Sequence, residues 1–348
     1  MKIIFRWYGF NDKITLDRIR QIPAIDGVVT AVYDIPVGEV WDPISLKEIV
    51  QACNDKGLEC KVIESVPVHE DIKLGASSAK QYIENYKENL RILGRLGFNC
   101  VCYNFMPVFD WLRSDLKFDL EDGSNALAYN HDTVLSLDPN KTDLVLPGWD
   151  ASYSKDELQI LLEKYKSVDD KKLWENLYCF LAEIIPVAIE SGINMAIHPD
   201  DPPWGIFGLP RIITSAQSIK KLFGLIKHPA NGLTFCTGSF GASKLNDLLE
   251  IINVAKGRIH FAHLRNIRRS NSFDFCETAH PSKCGDIDMY LVLKGLLKAG
   301  FDGYVRPDHG RMIWGEQGRG GYGLYDRALG ASYIYGLWEA ITKGGYND

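Results

Sequence analysis

Four strand-like runs in the second half of the chain, 193–198, 233–236, 259–263 and 304–308, each end on a side chain that can bind a metal ion. The endings are His198, Cys236, His263 and Asp308. Two imidazoles, one thiol and one carboxylate make a mixed nitrogen, sulfur and oxygen donor set suited to a divalent transition metal. Taken singly, a His or Cys at a strand end is more often packed or hydrogen-bonded than ligating. Four such endings in four consecutive units point to one shared site. The donors converge only if their strands are parallel neighbours, so the chemistry depends on the fold.

Residues two apart on a strand share a face, which puts Arg265 beside His263 and Arg306 beside Asp308. Either guanidinium suits a substrate carboxylate or phosphate. For Arg306, orienting a metal-binding carboxylate is an equal alternative. His309 follows Asp308 and is placed for proton transfer or for a capping role. In the first half Arg6 and Tyr8 share a strand face, Glu64 lies near the end of a third strand, and Tyr103 and Asn104 close a fourth. These fit either the hydroxyl groups of a polyol or a packed rim. The run Gly318-Arg319-Gly320-Gly321-Tyr322-Gly323 matches G-x-G-x-x-G, but no second strand follows to complete a βαβ unit and carry the acidic residue that a dinucleotide site requires. It is read as a flexible catalytic loop carrying Tyr322 over the mouth.

Four further strand-like segments occupy 3–8, 27–33, 60–66 and 100–105. Helical periodicity fills the gaps at 46–54, 79–96, 172–190, 215–225, 244–254 and 287–299. Glycines at 97, 192, 232, 257 and 303 mark turns into the next strand. Eight strand and helix units predict an α/β fold, a single (β/α)8 TIM barrel spanning 1–348, whose C-terminal strand ends ring one mouth. A polar stretch at 110–170 after the fourth strand breaks the rhythm and is read as an insertion, either a lid or an oligomer-contact arm.

With 46% hydrophobic residues and a formal charge of -6, the 348-residue chain can bury a large core and lacks the basic excess of a nucleic-acid binder. No apolar run approaches membrane-spanning length, and the first residues lack the pattern of a signal peptide. The eight cysteines form no CxxC pair, so reduced thiols and a cytoplasmic location are expected, and the sequon Asn140-Lys141-Thr142 carries no meaning there.

A single redox-neutral metal with a nearby His, Tyr and Arg suits proton abstraction beside a carboxylate, or hydride and proton shifts on a sugar. Residue chemistry alone leaves a dehydratase, a ketol isomerase and a metal hydrolase open. The runs Arg6-Trp7-Tyr8-Gly9, Glu64-Ser65-Val66-Pro67, His69-Glu70-Asp71-Ile72-Lys73 and Tyr103-Asn104-Phe105-Met106-Pro107 closely resemble the mannonate dehydratase family. So do His198-Pro199-Asp200-Asp201-Pro202-Pro203, Cys236-Thr237-Gly238-Ser239, His263-Leu264-Arg265 and Arg306-Pro307-Asp308-His309-Gly310.

The resemblance implies a xylose-isomerase-like barrel that dehydrates D-mannonate to 2-dehydro-3-deoxy-D-gluconate in hexuronate catabolism, using Mn2+ or Fe2+. It implies His198, Cys236, His263 and Asp308 as ligands, with His309 and Tyr322 as the proton-transfer pair in either order. Arg6, Tyr8, Asn104, Arg265 and Arg306 are the expected substrate contacts, and a homodimer is the expected assembly. Tyr33-Asp34 stands where some members carry a His-His pair, so that position takes no catalytic role, and His280 and Cys284 stay outside the expected site. A sugar-acid isomerase and a silent sugar-acid-binding barrel are the competing readings.

Overall fold

Alternation of side chains along each strand decides what the sheet encloses. In the computed structural model, which describes residues 1–137 and 154–344, the strands in chain order begin with β1 (Lys2–Arg6), β2 (Gly27–Thr30), β3 (Glu59–Glu64) and β4 (Cys100–Tyr103). Next come β5 (Asp115–Asp119), β6 (Asn125–Tyr129), β7 (Asn194–Ile197) and β8 (Asn231–Cys236). The last are β9 (Ile259–His263), β10 (Asn266–Arg269), β11 (Phe275–Thr278) and β12 (Tyr304–Arg306).

Eight of them close into a barrel in the order β1, β12, β9, β8, β7, β4, β3, β2, and every pair in it is parallel. Ile4, Val29, Val62, Cys100, Cys102, Ala196 and Phe261 point inward as one buried cluster. Their neighbours Ile3, Phe5, Val28, Ile63, Val101 and Tyr103 point outward into the main core beneath the helices. Period-two burial on both faces is what a barrel wrapped by helices demands. The (β/α)8 barrel expected from the alternation of elements is therefore the one observed.

Helices begin where the sequence supplies caps. Asp42 accepts from Ile44 N and Ser45 N at 3.1 Å and opens Pro43–Asp55 with proline in its first turn. Asp247 does the same for Leu248–Val254, which starts four residues later than the periodicity suggests. The terminal helix Tyr325–Lys343 closes the barrel wall and was not among the six expected. The long helix Asp170–Glu190 packs Phe180 against Tyr86, Tyr103 and Phe105 at ring separations of 5.0, 6.0 and 5.9 Å.

Two excursions leave the barrel at its C-terminal end. The first, expected at 110–170, contains β5, β6 and the helices His131–Ser136 and Lys155–Tyr165; the clusters Asp138-Pro139-Asn140 and Pro147-Gly148 lie outside the described residues. The second carries β10 and β11 between β9 and the helix Met289–Lys298. They pair as one four-stranded sheet, β10, β11, β6, β5, through Phe275 against Tyr129 and Cys276 against Ala128. Sequence alone misses this sheet because its strands are short and polar at the edge, as in Asp115–Asp119. No helix among the described residues is long and apolar enough to cross a membrane.

Phe180 is fully buried, so truncating it leaves a cavity between helix and barrel. Phe180→Ala should cost about 3–5 kcal/mol of unfolding free energy, read as a lower urea midpoint with an unchanged slope.

Candidate active site and metal centre

Parallel pairing delivers the four candidate ligands to the same end. Cys236 and His263 are the last residues of β8 and β9 and stand opposite each other in register. His198 follows β7 directly, and Asp308 lies just beyond β12. The donor atoms of His198, Cys236 and His263 all lie within 4.8 Å of one another. The Asp308 carboxylate borders them at 3.8 Å from Cys236 Sγ and 3.9 Å from His263 Nδ1. Asp308 holds φ at 60°, a left-handed conformation that Asp tolerates better than most residues.

The protonation of these donors suits a cation. His198 Nδ1 lies 2.7 Å from Pro199 O, which can only accept, so Nδ1 carries the proton and Nε2 faces His263 Nδ1 at 3.2 Å. Burial pulls the His198 imidazole below its ordinary pKa and His263 well below, with Arg306 adding to the effect on His263. Both rings are thus neutral, with lone pairs to give. Burial pushes the Cys236 thiol up to about 11 despite the nearby Arg265, and Ser239 N and Oγ lie 3.4 and 3.0 Å from the sulfur. Burial would also raise Asp308, but Arg306, His309, His263 and Arg265 outweigh it and hold the carboxyl well below the usual range.

Glu64, Cys102 and His263 form a second group with donor atoms within 4.8 Å. Its only carboxylate already meets Arg306 Nε and Nη2 at 3.0 Å and Arg6 at 3.3 Å. Glu64 Oε1 lies 3.4 Å from His263 Nε2, a buried atom with no hydrogen-bond partner. That placement suits a carboxylate that orients the imidazole from behind.

Beneath the ligands runs a network of buried charges. Arg265 reaches Asp201 at 2.6 Å, Glu277 at 2.5 Å and Asp308 at 3.1 Å. Arg113 reaches Asp201 at 2.9 Å and Glu277 at 2.8 Å. Gly238 makes room for it, since a Cβ there would collide with the Arg265 side chain.

Above the ligands lies a cavity of about 390 Å³. Of the expected substrate contacts, Arg6, Tyr8, Asn104 and Arg306 line it, whereas Arg265 does not. His198 and Asp308 face the same cavity, as do His309 and Tyr322. His309 Nε2 lies 2.9 Å from Tyr322 Oη, and burial together with Tyr8 pushes the phenol well above its ordinary pKa. The glycine-rich loop, read as flexible from sequence, is tied down. Gly310 N donates to Gly321 O at 2.9 Å, Arg327 donates to Tyr322 O and Gly323 O at 2.7 Å, and Leu324 N donates to Glu316 at 2.6 Å.

A family model described as D-mannonate dehydratase (UxuA) matches residues 1–347. The chain belongs to the D-mannonate dehydratase family. Mannonate dehydratase 2 of Halalkalibacterium halodurans is 52% identical over 345 residues, covering 99% of this chain and all of that one. The crystal structure of mannonate dehydratase from Streptococcus suis serotype 2 superposes with a TM-score of 0.92 at 46% identity, covering 99% of this chain and 95% of that one. A xylose isomerase-like TIM barrel protein from Mycobacterium smegmatis, solved in complex with magnesium, matches at a TM-score of 0.58 and 13% identity over 98% and 97% of the two chains. At that identity the likeness speaks for the fold alone, and it is the xylose-isomerase-like barrel expected from the family resemblance.

Three members of the site escaped sequence reasoning. Asp201 sits inside the run His198-Pro199-Asp200-Asp201, where adjacency to a ligand was the available signal. Arg113 and Glu277 come from the two excursions, and nothing in their spacing marks them.

Because burial keeps the Cys236 proton on sulfur up to about 11, a dication binding there must displace it. Titration of Zn2+ near neutral pH in buffers of different ionisation enthalpy should show about one proton released per ion bound, and none from Cys236→Ser. Affinity should rise with pH over this range. Equal proton release from the two proteins would exclude the thiolate as a ligand.

Proposed function

We propose that the chain removes water from D-mannonate to give 2-dehydro-3-deoxy-D-gluconate, acting in the cavity between the four candidate ligands and the His309 and Tyr322 pair. As a member of the D-mannonate dehydratase family it is a hydro-lyase. The observation that carries the reading is the meeting, in one cavity, of a cation donor set with an imidazole and a phenol 2.9 Å apart.

An aldonate brings one carboxylate and a chain of hydroxyls. Arg6 and Arg306 supply positive charge at the cavity wall, and Arg306 Nη1 is buried with no hydrogen-bond partner, a donor left for a substrate oxygen. Tyr8 and Asn104 face the same space and suit the hydroxyl chain. A divalent ion held by His198, Cys236, His263 and Asp308 supplies Lewis acidity toward the charge that develops beside the carboxylate. Mn2+ or Fe2+ is the cofactor this reading takes, and the donor set admits both.

Dehydration needs a base for the proton at C2 and an acid for the hydroxyl leaving C3. His309 and Tyr322 are both titratable, line the cavity and share a hydrogen bond. One takes the C2 proton, the C2–H electron pair becomes the C2 to C3 double bond, the other protonates the departing oxygen, and the enol so formed tautomerises to the 2-keto acid as the C2 hydroxyl gives up its proton and C3 gains one. Arg113, Asp201 and Glu277 sit behind this pair and hold it in place.

Chelator-treated protein given D-mannonate should form the 2-keto-3-deoxy acid only after Mn2+ or Fe2+ is restored. His309→Asn and Tyr322→Phe should each lower kcat by at least about 10²-fold while binding as much metal as the parent. Folded protein that yields no product with any divalent metal would overturn the reading, and loss of metal from either variant would remove its acid or base role.

A further inference from the structure

Glu277 on β11 is buried, and both of its oxygens face the imidazole at the cavity floor. Oε1 and Oε2 lie 2.9 and 3.1 Å from His309 Nδ1, and the residue is 1% exposed. Burial would raise the Glu277 carboxyl, but His309, Arg265 and Arg113 prevail and bring it down to about 2, so it is an anion that can only accept. Arg265 Nη1 also lies 2.9 Å from Nδ1, yet its shorter contact, 2.5 Å, is to Glu277 Oε1. The proton between His309 and Glu277 therefore belongs to Nδ1.

We propose that Glu277 is a positioning residue that locks His309 in the tautomer with its proton on Nδ1, and that this sets the direction of proton transfer in the cavity. The proposal rests on the dehydratase reading above. With Nδ1 protonated, His309 Nε2 is the acceptor that meets Tyr322 Oη at 2.9 Å, and Tyr322 is the donor. His309 Nε2 then takes the C2 proton while the C2–H pair forms the double bond to C3. The C3–O pair leaves with the oxygen, which takes the phenolic proton of Tyr322 and departs as water. The imidazolium returns its Nε2 proton to the phenolate across their hydrogen bond, and both residues end as they began. No oxidant or further reactant is needed.

The carboxylate is the part of Glu277 that matters, because the surrounding groups read charge. Arg113 and Arg265 can only donate, so the amide oxygen of a glutamine at this position must turn toward them. That oxygen takes the place of Oε1, which still faces Nδ1, while an NH2 replaces the Oε2 acceptor and the negative charge is lost. The substitution keeps the shape of the side chain but removes the anion that holds the Nδ1 proton, so the second tautomer becomes populated.

The test compares the parent and Glu277→Gln as full chains, each loaded with diamagnetic Zn2+ for 15N NMR of the histidine rings, with His309 assigned from its absence in His309→Asn. The parent should give a pyrrole-type Nδ1 and a pyridine-type Nε2, and in the variant the two shifts should move toward each other as the second tautomer is populated. With the activating metal, the variant should lose at least about 10²-fold in kcat while KM for D-mannonate stays within about threefold and metal content is unchanged. A parent whose Nε2 carries the proton, or a variant that keeps the parent kcat, overturns the proposal. So does a variant that loses metal and kcat together while retaining the parent tautomer, since Glu277 would then be a structural strut. If the variant fails to fold, the parent spectrum alone decides. Absence of dehydration by the parent would sink the reading of function, and it is distinguishable because the tautomer is measured without turnover.

Discussion

Asp308 lies between two guanidiniums, 2.7 Å from Arg306 Nη2 and 3.1 Å from Arg265 Nε, with 2% of its side chain exposed. Each of those arginines is committed to further carboxylates, Arg306 to Glu64 and Arg265 to Asp201 and Glu277, and Arg113 and Arg6 complete the set. Burying an ion costs several kcal/mol even after relaxation, and removing one partner of a buried pair costs about 3–5 kcal/mol. Each member of such a ring depends on the others to offset the cost of its burial. The fold around the mouth is largely a means of meeting that condition. Arg113 arrives on the first excursion and Glu277 on the second, and the sheet of β10, β11, β6 and β5 brings the two segments together. Mutual pairing is also what makes the site rigid, since a guanidinium shared among carboxylates has little freedom to rotate.

The charges in the ring offset one another: Arg6, Arg113, Arg265 and Arg306 stand against Glu64, Asp201, Glu277 and Asp308. His198 and His263 are neutral and Cys236 keeps its proton. A dication that displaces the thiol proton adds one net positive charge to this neutral set, which is the charge needed to hold a monoanionic sugar acid. The ring thus balances its own charge, and the positive charge that an anionic substrate needs would come with the dication.

Strand-end positions were legible because the geometry of a parallel barrel is periodic. His198, Cys236, His263 and Asp308 each terminate a run with recognisable alternation, and Arg306 and Tyr322 follow from the same register and from a glycine-rich loop. Residues whose role depends on tertiary contact were not legible. Arg265 shares a strand face with His263, which argued for substrate contact, yet three carboxylates claim it below the cavity floor. Glu277 and Arg113 lie in segments that read as polar loops, and only the pairing of β6 with β11 reveals that they meet. Charge burial is a property of the assembled mouth, and no local pattern encodes it.

The donors beside this ring, at the strand ends of β7, β8 and β9 and the turn after β12, are placed to share one cation. Anomalous diffraction at the manganese edge from crystals soaked in Mn2+ tests it most directly. A single strong peak within bonding distance of His198, Cys236, His263 and Asp308 is expected. A peak bonded instead to Glu64 and Cys102, on the other side of the His263 ring, would contradict it.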